Sequence, residues 1–298
     1  MFSGCLTALV TPFKNYQVDY PKLKELIEWQ IAHQADGLVM CGTTGESATL
    51  SDEEKVRIFK ETVRQVRQRI PIIAGTGSSD TSKVIKLTKQ AKQCKVDAAL
   101  VVTPYYNKPP QEGLYLHYQA VARESKLPII IYNVPGRTAV SIAPATIARL
   151  ARIKNIVAIK EACGNIEQIK EIRKLCNLPI LSGEDGQTLE IMAEGGQGVI
   201  SVVSNLIPQD VRTMIESFKE NNLSLANQWR NKIYPLAKAM FIETSPIPLK
   251  TTLKILGRLN GEMRLPLCPM SEANIPKLQE ALKEYGLFSL SKKSLTKK

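Results

Sequence analysis

Short runs of apolar, largely β-branched residues recur along the chain, each followed by glycine or turn-forming residues. They predict strands at Leu6–Val10, Gly37–Cys41, Ile70–Ala74, Ala98–Val102, Ile129–Asn133, Ile156–Ile159, Ile180–Ser182 and Gly198–Val202, starting 18 to 33 residues apart. The runs are continuously apolar rather than alternating, as in strands buried on both faces of a parallel sheet. The intervening segments have helical periodicity. Tyr20–Gln34 sets Leu23, Leu26, Ile27 and Ile31 along one side. Ser51 and Glu54 have the spacing of a capping box at the start of a second helix. Further helices are expected at Asp80–Gln93, Gln111–Ser125, Pro144–Ala151, Ile166–Cys176, Gly186–Glu194 and Pro208–Glu220.

Eight strand–helix units within roughly 220 residues imply an α/β fold, a closed (β/α)8 TIM barrel. An open doubly wound sheet normally places a glycine-rich phosphate turn after its first strand. Here that run ends Val10-Thr11-Pro12-Phe13. The expected organisation is a catalytic barrel over residues 1–220, a C-terminal helical subdomain over 221–290 broken by prolines, and a disordered basic tail over 291–298.

Composition changes this picture little. The 298 residues are 44% hydrophobic and 23% charged, as in an ordinary globular protein. No run reaches the length of a membrane span, and the first residues lack the basic and apolar regions of an export signal. Six cysteines with no CxxC pair suggest reduced thiols and a cytosolic protein. The net charge of +12 raises the question of nucleic acid, but the last eight residues alone carry four lysines. The other cations are scattered over helical faces, and no nucleic-acid-binding motif accompanies them. Neither a nucleic acid nor a membrane is expected as a partner.

The candidate chemistry lies at the strand ends, where barrel enzymes place their active sites. The run Ile156-Val157-Ala158-Ile159 leads directly into Lys160. Burial there disfavours an ammonium, and a lysine so placed can act as a nucleophilic amine that forms a Schiff base with a carbonyl. The alternative is a lysine that reaches solvent or pairs with Glu161. Other strand ends carry Gly42-Thr43-Thr44-Gly45-Glu46-Ser47, Thr103-Pro104-Tyr105-Tyr106-Asn107, Tyr132-Asn133-Val134-Pro135-Gly136-Arg137-Thr138 and Gly183-Glu184-Asp185, and Ile200-Ser201 falls within the last strand. The Thr43–Thr44 loop suits a carboxylate or phosphate at a helix N-terminus, or is simply a capped turn. Tyr132 can exchange a proton beside a carbonyl, or is a core tyrosine with a satisfied hydroxyl. Arg137 can grip a carboxylate with its planar fork, or is a surface arginine. The two histidines, His33 and His117, lie within helical patterns and make no metal-ligand spacing. Together these features describe a metal-independent, cofactor-independent Schiff-base lyase acting on a 2-oxo acid.

The Gly42–Ser47, Tyr132–Thr138 and Ile159-Lys160-Glu161 segments resemble the motifs of the dihydrodipicolinate synthase family, and the resemblance extends over residues 1 to 290. It implies condensation of pyruvate with L-aspartate 4-semialdehyde through an imine on Lys160, for diaminopimelate and lysine biosynthesis. Lys160, Tyr132, Thr43 and Tyr106 match the family's catalytic positions. Tyr106 there reaches in from a neighbouring subunit, so a homodimer is the smallest complete unit and a tetramer built from dimers is usual. Thr43 and Thr44 match positions around the pyruvate carboxylate, Arg137 the grip on the semialdehyde's carboxylate, and Gly183 and Ile200 backbone positions that line the pocket. In lysine-inhibited members, a glutamate stands where this chain has Lys83, an asparagine at Ser79, and histidines at Asp52 and Lys55. Two like charges about 4 Å apart repel by on the order of 4 kcal/mol at an effective dielectric of about 20, so weak or absent lysine inhibition is expected. Related pyruvate aldolases, such as N-acetylneuraminate and 2-keto-3-deoxy sugar-acid lyases, share the lysine and tyrosine. A catalytically silent barrel scaffold is the alternative of another class.

Overall fold

Eight parallel strands form a closed barrel in the computed structural model, which describes residues 2–287. They are β1 (Gly4–Ala8), β2 (Gly37–Met40), β3 (Ile72–Gly75), β4 (Ala98–Val102), β5 (Ile129–Asn133), β6 (Ile156–Glu161), β7 (Ile180–Ser182) and β8 (Gly198–Ser201). Sequential strands pair, and β8 closes on β1 through the register Gly4↔Gly198. The backbones approach so closely there that a Cβ on Gly198 would stand 2.2 Å from the Gly4 carbonyl oxygen.

The apolar runs are buried on both sides. Leu6, Val39, Ile73, Leu100, Ile130, Ala158, Leu181 and Ile200 fill the barrel interior. Leu38, Met40, Ile72, Val101, Ile131, Ile159 and Val199 belong to the layer between strands and helices. That layer is covered by α1 (Tyr20–Ala32), α2 (Asp52–Val66), α3 (Thr81–Gln93), α4 (Gln111–Ser125), α5 (Pro144–Leu150), α6 (Ile166–Leu175), α7 (Thr188–Ala193) and α8 (Pro208–Lys219). Three helices follow: α9 (Leu223–Ala239), α10 (Ile247–Ile255) and α11 (Ile275–Tyr285). Their apolar residues Leu236, Leu249 and Leu278 join the same outer layer. The predicted tail over 291–298 lies outside the described residues. Among the described residues no helix is long and apolar enough to cross a membrane.

Some boundaries differ from the sequence expectation for local reasons. The first strand is set two residues earlier, where the Asp36 carboxylate accepts from Cys5 N at 2.8 Å and β8 supplies the pairing partner. The third begins after Pro71, which has no N–H to donate and offers its carbonyl to Leu38 N. The sixth runs two residues further than its apolar stretch, so Lys160 lies within the strand. The capping box at Ser51 is present, with both reciprocal bonds to Glu54.

Candidate active site

Alternation along β6 decides where Lys160 points. Ala158 faces the barrel interior, so Lys160, two residues on, faces it too, one layer nearer the C-terminal mouth. The same logic on β5 sends Ile130 and Tyr132 inward. Tyr132 and Lys160 are register partners on adjacent strands. Both are 6% exposed, and Lys160 Nζ stands 4.2 Å from the centroid of the Tyr132 ring. Glu161 points to the opposite face and bonds Asn133 and Gln168, so the alternative Lys160–Glu161 pair does not form.

A small chamber of about 50 Å³ encloses the amine. Thr43, Thr44, Tyr132, Arg137, Lys160, Gly183, Glu184 and Ile200 are among its walls. Thr44 is buried and Thr43 exposed at the rim. Gly183 is required by space, since a Cβ there would stand 2.6 Å from Ala162 Cβ and 3.0 Å from Lys160 Cε. Arg137 lies in a short helix, Pro135–Thr138, started by a proline in the first turn. Its guanidinium is exposed and donates from Nη2 to Ser245 O at 3.4 Å. The chamber meets a larger cavity of about 480 Å³ across Gly42, Thr43, Tyr132, Val134, Arg137 and Ser245. Lys160 is not among the residues that line this second space. Lys55, Lys83, Asp52 and Tyr105 line the larger space. Ser79 does not, and its carbonyl accepts from Asn107 Nδ2 at 3.1 Å.

Seven of the eight expected site residues therefore line one chamber, and Tyr106 does not. It is 92% exposed, at the tip of the segment after β4, with a left-handed φ of 75°. Such a conformation is uncommon for a bulky residue. Of the two readings of the Thr43–Thr44 loop, the structure has the turn: a 3-10 turn, Ser47–Thr49, intervenes before α2. The loop is instead held by a buried ion pair between Glu46 and Lys250 of α10. Lys250 Nζ also donates to Glu262 O at 2.9 Å, and Glu46 accepts from Arg264 N at 3.1 Å. Arg264 in turn forks onto the Glu54 carboxylate, closing a network over the start of α2.

Negative charge near the amine comes from Glu184 and Asp185, to which the sequence assigned no role. Burial raises the Glu184 carboxyl, the adjacent Asp185 adds to this, and Lys160 and Arg137 oppose it. Asp185 is buried and accepts from Val202 N and Val203 N, both at 2.9 Å, which ties the β7 end to the β8 end. Among the described residues no group of three His, Cys, Asp or Glu side chains could hold a metal.

The model of the dihydrodipicolinate synthetase family matches residues 1–285. The 4-hydroxy-tetrahydrodipicolinate synthase of Geotalea uraniireducens (strain Rf4) is 51% identical over 290 residues, 97% of this chain and 100% of that protein. The dihydrodipicolinate synthase of Aquifex aeolicus superposes with a TM-score of 0.94 at 46% identity, covering 96% of this chain and 99% of the other. A monomeric dihydrodipicolinate synthase variant superposes equally well, with a TM-score of 0.94 at 42% identity, covering 96% and 98%.

Proposed function

We infer the reaction from one premise: the chain belongs to the dihydrodipicolinate synthetase family. It is a lyase, a 4-hydroxy-tetrahydrodipicolinate synthase, and condenses pyruvate with L-aspartate 4-semialdehyde in diaminopimelate and lysine biosynthesis.

The residue assignments are our proposal. The observation that carries them is the Tyr132–Lys160 register pair, turned inward at the closed end of a chamber with Arg137 at its mouth. The Lys160 amine adds to C2 of pyruvate, and loss of water gives an imine. The imine acidifies the methyl group, and removal of one proton gives the enamine. Its carbon attacks the aldehyde of the second substrate, whose oxygen takes up a proton. The amine of that substrate then adds to the imine carbon, expels Lys160 and closes the ring, so one water leaves overall. Tyr132 is placed to carry protons for these steps and Thr43 stands at the rim to pass them on. Thr43 and Thr44 hold the pyruvate carboxylate, and the planar fork of Arg137 takes the carboxylate of the semialdehyde. Gly183 and Ile200 supply backbone wall.

Tyr106 completes the relay from a second copy of the chain. An exposed tyrosine held in a left-handed conformation supports this reading, because strain of this kind persists where surroundings impose it. We propose a homodimer as the complete unit and a tetramer as the assembly. The free thiols, three of them buried, support a reducing, cytosolic workplace.

The test is pyruvate-dependent turnover of L-aspartate 4-semialdehyde, coupled to a downstream NADPH-dependent reductase, beside cleavage of N-acetylneuraminate as a control. Turnover of the first and none of the second is expected. The reverse result would overturn the assignment. Sedimentation of the wild type, with the activity of Tyr106→Phe, tests the oligomeric part.

A further inference from the structure

Lys160 and Tyr132 lie one residue from the end of the ladder that holds them. The last register pair between β5 and β6 is Asn133↔Glu161. Past it, one backbone bond still joins the two strands, from Ala162 N to Asn133 O at 2.9 Å. On the outer face, behind the chamber, Asn133 Nδ2 donates to both oxygens of Glu161, at 2.8 and 3.1 Å. The same amide reaches Ser141 Oγ at 3.2 Å, and its oxygen accepts from Ile142 N at 3.2 Å. Gln168 Nε2 of α6 donates to the second Glu161 oxygen at 3.1 Å. Asn133 and Glu161 are 0% and 1% exposed, and neither lines the chamber.

Burying a carboxyl costs free energy unless its hydrogen bonds are made. Here they are made by groups that tie together the two strands bearing the reacting side chains and the helix behind them. We propose that Asn133 and Glu161 are positioning residues, a side-chain clamp that fixes the spacing of Lys160 and Tyr132 across the barrel wall. The inference rests on the assignment of those two residues as reacting groups.

The clamp is sensitive to protonation. Burial raises the Glu161 carboxyl to about 7, and the hydrogen bonds from Asn133, Cys163 and Gln168 only partly offset this. The titratable groups facing it are the Cys163 thiol and the Tyr118 phenol of α4, both raised by burial, so both remain neutral across neutral pH. Below about pH 7 the carboxyl carries a proton and loses acceptor capacity toward its amide donors. Relaxation of the spacing at low pH is read as the difference between wild type and Glu161→Gln, because Glu184, which lines the chamber, is also raised by burial.

Glu161→Gln keeps size and removes the ionisation. We expect kcat to fall roughly tenfold, because small misplacements of reacting groups have large rate effects, with KM for pyruvate little changed. The acid limb of the kcat/KM profile should shift, and Glu161→Asp should restore it in part. Asn133→Ala, which breaks the clamp from the other strand, should lower kcat in the same way if the glutamine variant does not fold. Borohydride trapping of pyruvate runs alongside. If the wild type traps no pyruvate, the assignment of Lys160 fails and the inference with it. If the wild type traps pyruvate and the variants keep wild-type kcat, KM and pH profile, whatever their melting temperatures, the clamp alone is refuted.

Discussion

Lys250→Met tests how the C-terminal helices govern the site. The Lys250 and Glu46 side chains are 1% and 0% exposed. Methionine keeps the length of the side chain but removes the ammonium, whose Nζ stands 4.3 Å from the centroid of the Phe13 ring. The Glu46 carboxylate then retains the Arg264 N–H and loses its counter-charge, and Glu262 O loses its donor. Removing one partner of a buried pair costs about 3–5 kcal/mol, because the other charge stays buried. That is a large part of a typical total of about 5–15 kcal/mol. In a chain of this size each kcal/mol lowers the melting temperature by roughly 2–4 °C, so a drop on the order of 10 °C is expected. Adding Glu46→Gln removes the stranded charge, and the double variant should regain on the order of 2 kcal/mol over Lys250→Met. Urea unfolding followed by circular dichroism gives the free energies. Pyruvate KM, measured well below the melting temperature, reports the loosened Thr43–Thr44 loop and should rise. A loss below about 1 kcal/mol in the single variant, or a double variant no better than the single, would refute the reasoning.

Three further outcomes follow from named contacts. Gly183→Ala should fold and lose at least about 100-fold in kcat, because its Cβ competes with Lys160 Cε for space; near-wild-type turnover would show that the lysine has room to move. Burial lowers His117 to about 4 and leaves its Nε2 without a partner among the described residues. The unfolded chain takes up this proton below about pH 6.5 while the folded chain does not. His117 therefore costs stability progressively as pH falls from 6.5 toward 4, by roughly 3 kcal/mol at the end of that window. Glu161, raised in the fold, acts with the opposite sign between its unfolded value and about 7, so the measurement is the difference between wild type and His117→Gln. A pH-independent difference would contradict it. L-Lysine should inhibit weakly or not at all, since Lys83 and Lys55 line the cavity beside Tyr105; half-inhibition below millimolar lysine would sink that expectation.

The barrel was legible because its strands are uninterrupted apolar runs, and strand ends gave most of the candidate site without knowledge of any contact. What remained hidden was hidden for physical reasons. The hairpin Phe13–Lys14 and Gln17–Val18 turns through Asn15 and Tyr16, both left-handed, with Glu262 accepting their N–H groups from the far end of the chain. No local pattern announces a partner some 250 residues away. The Glu46–Lys250 pair is likewise remote in sequence. Glu161 looked like a partner for Lys160 because the two are adjacent, and strand alternation separates them. Glu184 followed a strand end like the other candidates, but only closure of the barrel brings it to the amine.

The central claim is that Lys160 forms the imine. Incubation with pyruvate and borohydride, followed by proteolysis and mass mapping, tests it directly. A reduced pyruvyl adduct is expected on the Lys160 peptide and none in Lys160→Ala. An adduct on another lysine, such as the buried Lys250, or no adduct in active wild-type protein, would contradict it.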